Sequence, residues 1–134
     1  MHGPAPAARL VIRRPELAQA VLERLVAALA ARVDLSLERL SDAQIASAAL
    51  VATTASRSIP GGELRVELDG EPGAVIVRLG PLPDGAAARV VEDTALPGVG
   101  PIVDRLVDRW SIAPADGGES LSLAITDGGQ ARRS

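Results

Sequence analysis

Hydrophobic residues in this chain recur with two different periods, and the period changes several times between residues 9 and 126. Apolar and polar residues alternate in short segments, which is typical of strands with one buried face. These predicted strands cover residues 9–13, 63–69, 74–79, 111–115 and 120–126. Apolar residues at helical spacing predict helices over residues 15–31, 41–56 and 101–110, and the clearest set is Leu22, Leu25, Val26, Leu29 and Val33.

Proline, serine and glycine residues mark the expected ends of these elements. Pro15 and Pro101 suit the first turn of a helix, where a missing N–H costs no hydrogen bond. Ser41 and Gln44 have the spacing of a capping box, which predicts that the second helix begins at Ser41. Residues 80–95 show no convincing period, and a loop of that length in a compact domain is usually a functional lid or a mobile segment.

The order of elements, β-α-α-β-β-loop-α-β-β, indicates the fold class. It predicts an α+β protein, a two-layer α/β sandwich with a mixed, mostly antiparallel sheet and three helices on one face. A chain of 134 residues is long enough for one core. We therefore expect a single domain over residues 9–126, a flexible N-terminus at 1–8 and a flexible tail at 127–134.

The composition restricts which residues can form the core and which kinds of functional site the chain can contain. Hydrophobic residues make up 47 % of the chain, but there is no Phe, no Tyr and one Trp, so Ala, Val, Leu and Ile must form the core. The absence of Cys excludes disulfides, thiolate metal sites and cysteine nucleophiles. A net charge of −3 argues against a broad nucleic-acid surface. No long apolar run and no apolar leader is visible, which predicts a cytoplasmic protein without membrane contact.

Two glycines, Gly98 and Gly100, come just before the predicted third helix, where backbone N–H groups are able to bind an anion. The segment from Gly98 to Asp108, GVGPIVDRLVD, resembles the second glycine box of the histidine-kinase-like (GHKL) ATPase domain. The order of elements over residues 9–126 is similar to that of bacterial anti-sigma-factor serine/threonine kinases of partner-switching systems. This resemblance implies a Bergerat-type ATPase fold in which Gly80, Gly98 and Gly100 are the candidate nucleotide-binding residues.

The chain departs from this family at the positions that carry chemistry. The family has a Glu and, four residues later, an Asn on the nucleotide helix, where this chain has Ala49 and Thr53. The family's first glycine box begins with an Asp that binds adenine, whereas residues 77–80, VRLG, contain no carboxylate. A positioned general base contributes about 10²–10⁴ to a rate. The resemblance therefore implies no catalytic residue, no metal site, and ATP or Mg²⁺ as cofactors only if the site is still functional.

These departures favour a degenerate family member that acts by protein–protein binding. The resemblance implies a sigma factor or an anti-sigma antagonist protein as its partner, and a possible homodimer. The alternative is an active ATP-dependent serine/threonine kinase of such an antagonist, with Asp42, Glu92 or Asp93 supplying the catalytic groups. A third hypothesis is a structural or assembly protein that shares only the order of elements with this family.

Other candidate residues give weaker signals. Asp104 and Asp108 lie one helical turn apart in the predicted third helix, where alternating charges usually indicate a solvated face. The acids of the predicted lid, Asp84, Glu92 and Asp93, offer oxygens to a cation, but no motif fixes their geometry. The single histidine, His2, lies in the predicted flexible N-terminus and is expected to be inert.

Overall fold

The computed structural model describes residues 8–12, 15–55, 64–96, 100–101, 106–115 and 117–127. The helices in these ranges are α1 (Pro15–Arg32), α2 (Leu37–Ala55) and α3 (Ala86–Asp93). The strands are β1 (Ala8–Ile12), β2 (Leu64–Glu71), β3 (Ala74–Leu82), β4 (Ala95–Leu96), β5 (Gly100–Pro101), β6 (Arg109–Ala115) and β7 (Gly118–Thr126).

Five strands form one sheet in the order β1-β2-β3-β7-β6, and β4 pairs separately with β5. All strand pairs between described residues are antiparallel. Tight turns join β2 to β3 and β6 to β7, and Gly73 and Gly117 in these turns have φ values of 73° and 82°, which favour glycine. The order of strands makes β1 and β6 the two edges of the larger sheet.

The three described helices cover one face of this sheet, and we call the opposite face, on which none of them packs, the open face. α1 packs on β2 and β3, whereas α2 and α3 both contact β7. Alternate residues of the central strands point into the core, as Leu64, Val66 and Leu68 do on β2 and Leu121 and Leu123 do on β7. The α+β class and the two-layer arrangement predicted from the sequence are therefore confirmed.

The core has the composition that the sequence required. Its fully buried members are Ala, Val, Leu and Ile side chains, and Trp110 is only partly buried against them. Leu22, Val26 and Leu29 of α1 are buried, as their helical spacing predicted. No described helix is long and apolar enough to cross a membrane.

The segment predicted to be a lid is part of the packed fold. Residues 80–82 complete β3, and residues 86–93 form α3. Ala87, Val90 and Val91 of α3 are buried in the core, so an open, aperiodic loop over residues 80–95 was the wrong expectation. The helix was missed because it spans only eight residues, too few to show a clear period, and because prolines and glycines precede it.

The predicted third helix over residues 101–110 is also revised. Pro101 pairs with Ala95 in β5 rather than beginning a helix, and Trp110 lies in β6 opposite Leu123. Leu106 has helical conformation, whereas residues 102–105 lie outside the described residues. Apolar residues at 106, 107 and 110 fit a helical period, but β6 already begins at Arg109.

Candidate functional site

Ala49 and Thr53, which the sequence comparison aligned with a Glu and an Asn of histidine-kinase-like ATPases, lie on α2. They are four residues apart, so they share one face of the helix, and both are half-buried. The neighbouring Ala46 and Leu50 are fully buried in the core. The side chains at positions 49 and 53 carry neither a carboxylate nor an amide, so these two positions supply no general base and no carboxylate or amide oxygen for Mg²⁺.

The candidate glycines have different surroundings. Gly80 lies in β3, where a Cβ atom would be 3.0 Å from the backbone oxygen of Glu119 on β7. Gly80 therefore allows β3 and β7 to approach closely, and it also lines a groove of about 250 Å³ on the open face of the sheet. Gly100 pairs with Leu96 in the β4–β5 ribbon, and Gly98 lies outside the described residues. A nucleotide-binding role for the three glycines stays a prediction.

Helix α3 occupies the position in the chain that was predicted to be a lid. Gly85, the residue before the helix, has no side chain to cap the first N–H groups of α3. Glu119 of β7 supplies this cap, since its Oε2 accepts a hydrogen bond of 2.9 Å from the Ala87 N–H. A carboxylate at this end of a helix also interacts favourably with the helix dipole. The contacts of α3 with α2 and β7 hold it against the core.

The acids predicted to offer oxygens to a cation do not come together. Asp84, Glu92 and Asp93 are exposed, the first before α3 and the other two at its end. No group of three acidic or histidine side chains within the described ranges has the geometry to hold a metal ion. Asp104 and His2 lie outside those ranges.

A polar cluster joins the start of α2 to the ends of the sheet. We call Ser36, Arg39, Asp42, Asp108 and Asp127 the Arg39 cluster. Arg39 is 5 % exposed, and its guanidinium lies 2.7 Å from an oxygen of Asp42 and 2.6 Å from one of Asp108. Its Nε donates to the backbone oxygen of Thr126. The same oxygen of Asp108 accepts a hydrogen bond from the Thr126 N–H.

The remaining members of the Arg39 cluster fix the first turn of α2. The Ser36 Oγ accepts a hydrogen bond from the Arg39 N–H at 3.2 Å, as an N-cap side chain does. Ser36 also donates to both carboxylate oxygens of Asp127. The helix therefore begins at Leu37, and the capping box predicted at Ser41 and Gln44 is wrong.

The Arg39 cluster bears on two further candidate residues and corrects the expectation for one of them, Asp108. Asp108 was predicted to lie on a solvated helix face, but its side chain is 13 % exposed and paired with Arg39. Asp42, a candidate catalytic acid, is paired with the same guanidinium. No sequence signal singled out Arg39, because its partner Asp108 is distant in the chain. Both carboxylates therefore contact the same guanidinium, and a catalytic role for Asp42 stays a prediction.

The open face of the sheet carries a second group of polar residues. A groove of about 710 Å³ lies there between β3, β7 and β6. Its floor includes Ile76 and Ala124, and its polar residues are Arg78, Asp108, Arg109, Ser111 and Ser122. Arg78, Ser122 and Ser111 lie directly opposite one another across the three strands. The groove therefore combines two guanidinium groups and two hydroxyl groups with one carboxylate, that of Asp108, which is paired with Arg39.

Comparison with known proteins adds no family assignment. No protein-family model matches this chain, and a comparison with curated proteins finds no significant match.

Proposed function

We propose that this chain is a regulatory protein-binding module on a degenerate histidine-kinase-like ATPase fold, with a sigma factor or an anti-sigma antagonist as its partner. The observation that carries the proposal is the pair Ala49 and Thr53, one helical turn apart on α2. The resemblance places the phosphate- and metal-facing groups at these positions, and neither side chain performs that chemistry. We therefore expect the fold to act by binding a partner protein.

The packing of α3 also supports binding without turnover. A lid that closes over a nucleotide belongs to the least stable parts of a protein, since it has to open and close. α3 instead buries Ala87, Val90 and Val91 in the main core, and Glu119 caps it. Opening this segment would expose these three side chains to water, which is unfavourable.

A nucleotide titration monitored by thermal unfolding tests this proposal. A functional site at about 100 times its dissociation constant for Mg-ATP would add roughly 2.7 kcal/mol of stability. For a chain of this size each kcal/mol raises the melting temperature by about 2–8 °C. We expect no resolvable shift at millimolar Mg-ATP. A clear shift that disappears when Gly98 or Gly100 is replaced by Leu would overturn the proposal and favour the active kinase.

The partner is tested separately in the native cytoplasm. We expect in-cell crosslinking followed by affinity purification to recover a transcription regulator of the sigma or antagonist class. Radiolabelled ATP added to the purified pair should give no phosphate transfer. Transfer that is lost in an Asp42→Ala, Glu92→Ala and Asp93→Ala triple variant would instead assign the kinase role to these acids.

A further inference from the structure

The edge strand β6 and the groove beside it form one exposed surface. Among the described strands β6 pairs with β7 alone and is the last strand of the sheet. Arg109, Ser111, Ala113 and Pro114 are exposed, and Ile112 is 39 % exposed. An exposed edge offers backbone N–H and C=O groups to another extended chain. We call β6 together with the 710 Å³ groove the β6 surface.

Pro114 shows which backbone groups of β6 point outward. A proline in a strand has no N–H, so it fits where that position faces away from the neighbouring strand. Residues of the same parity share this orientation in an antiparallel pair. Ile112 therefore directs its backbone N–H and C=O groups toward the outer edge of β6.

The side chains of β6 alternate between two environments. Trp110 and Ile112 lie opposite the buried residues Leu123 and Leu121, so their side chains are on the helix-covered side of the sheet. Arg109 and Ser111 lie opposite Ala124 and Ser122 on the open face. A strand added to β6 would alternate in the same way, with one set of side chains beside Trp110 and Ile112 and the other beside the groove.

The charge of the groove determines which side chains of an added strand fit beside it. Arg78 and Arg109 have no ion pair or hydrogen bond to any other described residue, whereas the carboxylate of Asp108 is paired with Arg39, which it shares with Asp42. Glu67, which lies opposite Arg78 on β2, is paired with Arg9 at 3.4 Å. Two guanidinium groups at the groove are therefore unpaired among the described residues, and acidic side chains complement them.

From these contacts we propose that the β6 surface binds an extended peptide of a partner protein in which acidic and apolar residues alternate. The peptide adds to β6 as a sixth strand, with its acidic side chains beside Arg109 and Arg78 and its apolar side chains beside Trp110 and Ile112. This inference rests on the proposed protein-binding function and names its surface and the chemistry of its partner.

Charge also disfavours one occupant from this chain itself. The C-terminal tail beyond Asp127 contains Arg132 and Arg133 and no acid, so it does not complement the groove. An acidic segment of a different protein fits better than this tail.

A fluorescence titration with designed peptides tests the inference. The probe is a blocked peptide of seven alternating Glu and Val residues, which matches the seven residues of β6. Two control peptides replace Glu by Lys or group the same residues into one Glu block and one Val block. Binding is followed by the emission of Trp110, the one Trp of the chain, and by anisotropy of the labelled peptide.

We expect the alternating acidic peptide to bind at least about tenfold more tightly than either control peptide, and to weaken as salt shortens the Debye length. Arg109→Glu should weaken binding about tenfold, and Arg24→Glu on the exposed face of α1 should leave it unchanged. Ile112→Pro should abolish binding without unfolding the protein, because its N–H points away from β7.

Several outcomes would overturn the inference. Equal binding of the Lys peptide, or unchanged binding by both Arg109→Glu and Ile112→Pro, would show that the β6 surface is not the site. Self-association abolished by Ile112→Pro would show that a second copy occupies it, and displacement of the peptide by single-stranded DNA would assign it to nucleic acid. If the peptide does not bind and Mg-ATP does not shift the melting temperature, the β6 surface is rejected but the proposed function is not. If Mg-ATP raises the melting temperature, the proposed function itself is rejected.

Discussion

At the scale of single residues, Arg39 connects segments that are distant in the chain. Its guanidinium contacts Asp42 on its own helix, Asp108 before β6 and the Thr126 backbone on β7. Removing one member of a buried ion pair leaves the other charge uncompensated, which costs about 3–5 kcal/mol. Since Asp42 is 23 % exposed and is hydrated in part, we expect Arg39→Met to lower the free energy of unfolding by about 3 kcal/mol.

Urea unfolding with two further variants separates this effect from the loss of a long side chain. Arg24→Met removes an exposed arginine of α1 and should change stability by less than about 0.5 kcal/mol. Adding Asp108→Asn to Arg39→Met should recover part of the loss, because Asn keeps an oxygen for the Thr126 N–H and removes the unpaired charge. Equal midpoints for Arg39→Met and Arg24→Met would show that the Arg39 cluster contributes nothing to stability.

At the scale of elements, the stability of core variants distinguishes a packed α3 from a mobile lid over the same residues. Val90 is fully buried, and shortening it to Ala removes about two methylene equivalents from the core. With the cavity that remains, we expect Val90→Ala to destabilise the protein by about 2 kcal/mol. Chemical denaturation monitored by circular dichroism measures this difference.

The neighbouring residue provides the matched control for α3. Arg89 is exposed on the same helix, so Arg89→Ala should change stability by less than about 0.5 kcal/mol. Amide hydrogen exchange in α3 should be slow and close to that of α2, since both helices pack on the same core. Fast exchange in α3 together with a neutral Val90→Ala variant would mean that this segment opens as a lid after all.

Elements with a long and regular pattern were the ones predicted well. α1 begins at Pro15 and ends at Arg32, one residue beyond the prediction, and β2 and β7 follow the alternation of their apolar residues. The start of α2 was misplaced because its cap, Ser36, is stabilised by Asp127 from the far end of the chain. Local pattern carries no information about such a contact.

The same limit applies to the candidate site. Arg78, Ser122 and Arg109 come from three strands, and only the register of the sheet brings them to one groove. Residues 49, 53 and 80 were identified through a resemblance, and the structure gives Gly80 a packing role that the sequence did not indicate. The sequence indicates which chemical groups are present, but which side chains contact one another depends on the pairing of segments that are distant in the chain.

At the scale of the whole molecule, one core joins the helices to the sheet. The buried cluster includes Leu22 of α1, Leu50 of α2, Val90 of α3 and Leu121 of β7. A domain below about 150 residues with one such core usually unfolds in a single cooperative transition. Because Trp110 on the edge strand packs against this cluster, we expect its fluorescence to report the unfolding of the entire fold.

Two probes of different elements test this cooperativity. Far-ultraviolet circular dichroism follows mainly the helices, whereas fluorescence follows Trp110 in β6, and with no Tyr or Phe in the chain no other aromatic side chain contributes. We expect both to give the same urea midpoint and the same slope. A fluorescence transition at lower urea would show that β6 separates from the sheet first. The β6 surface would then be unstable before any partner binds, and peptide addition would have to be coupled to the folding of β6 rather than to a preformed edge.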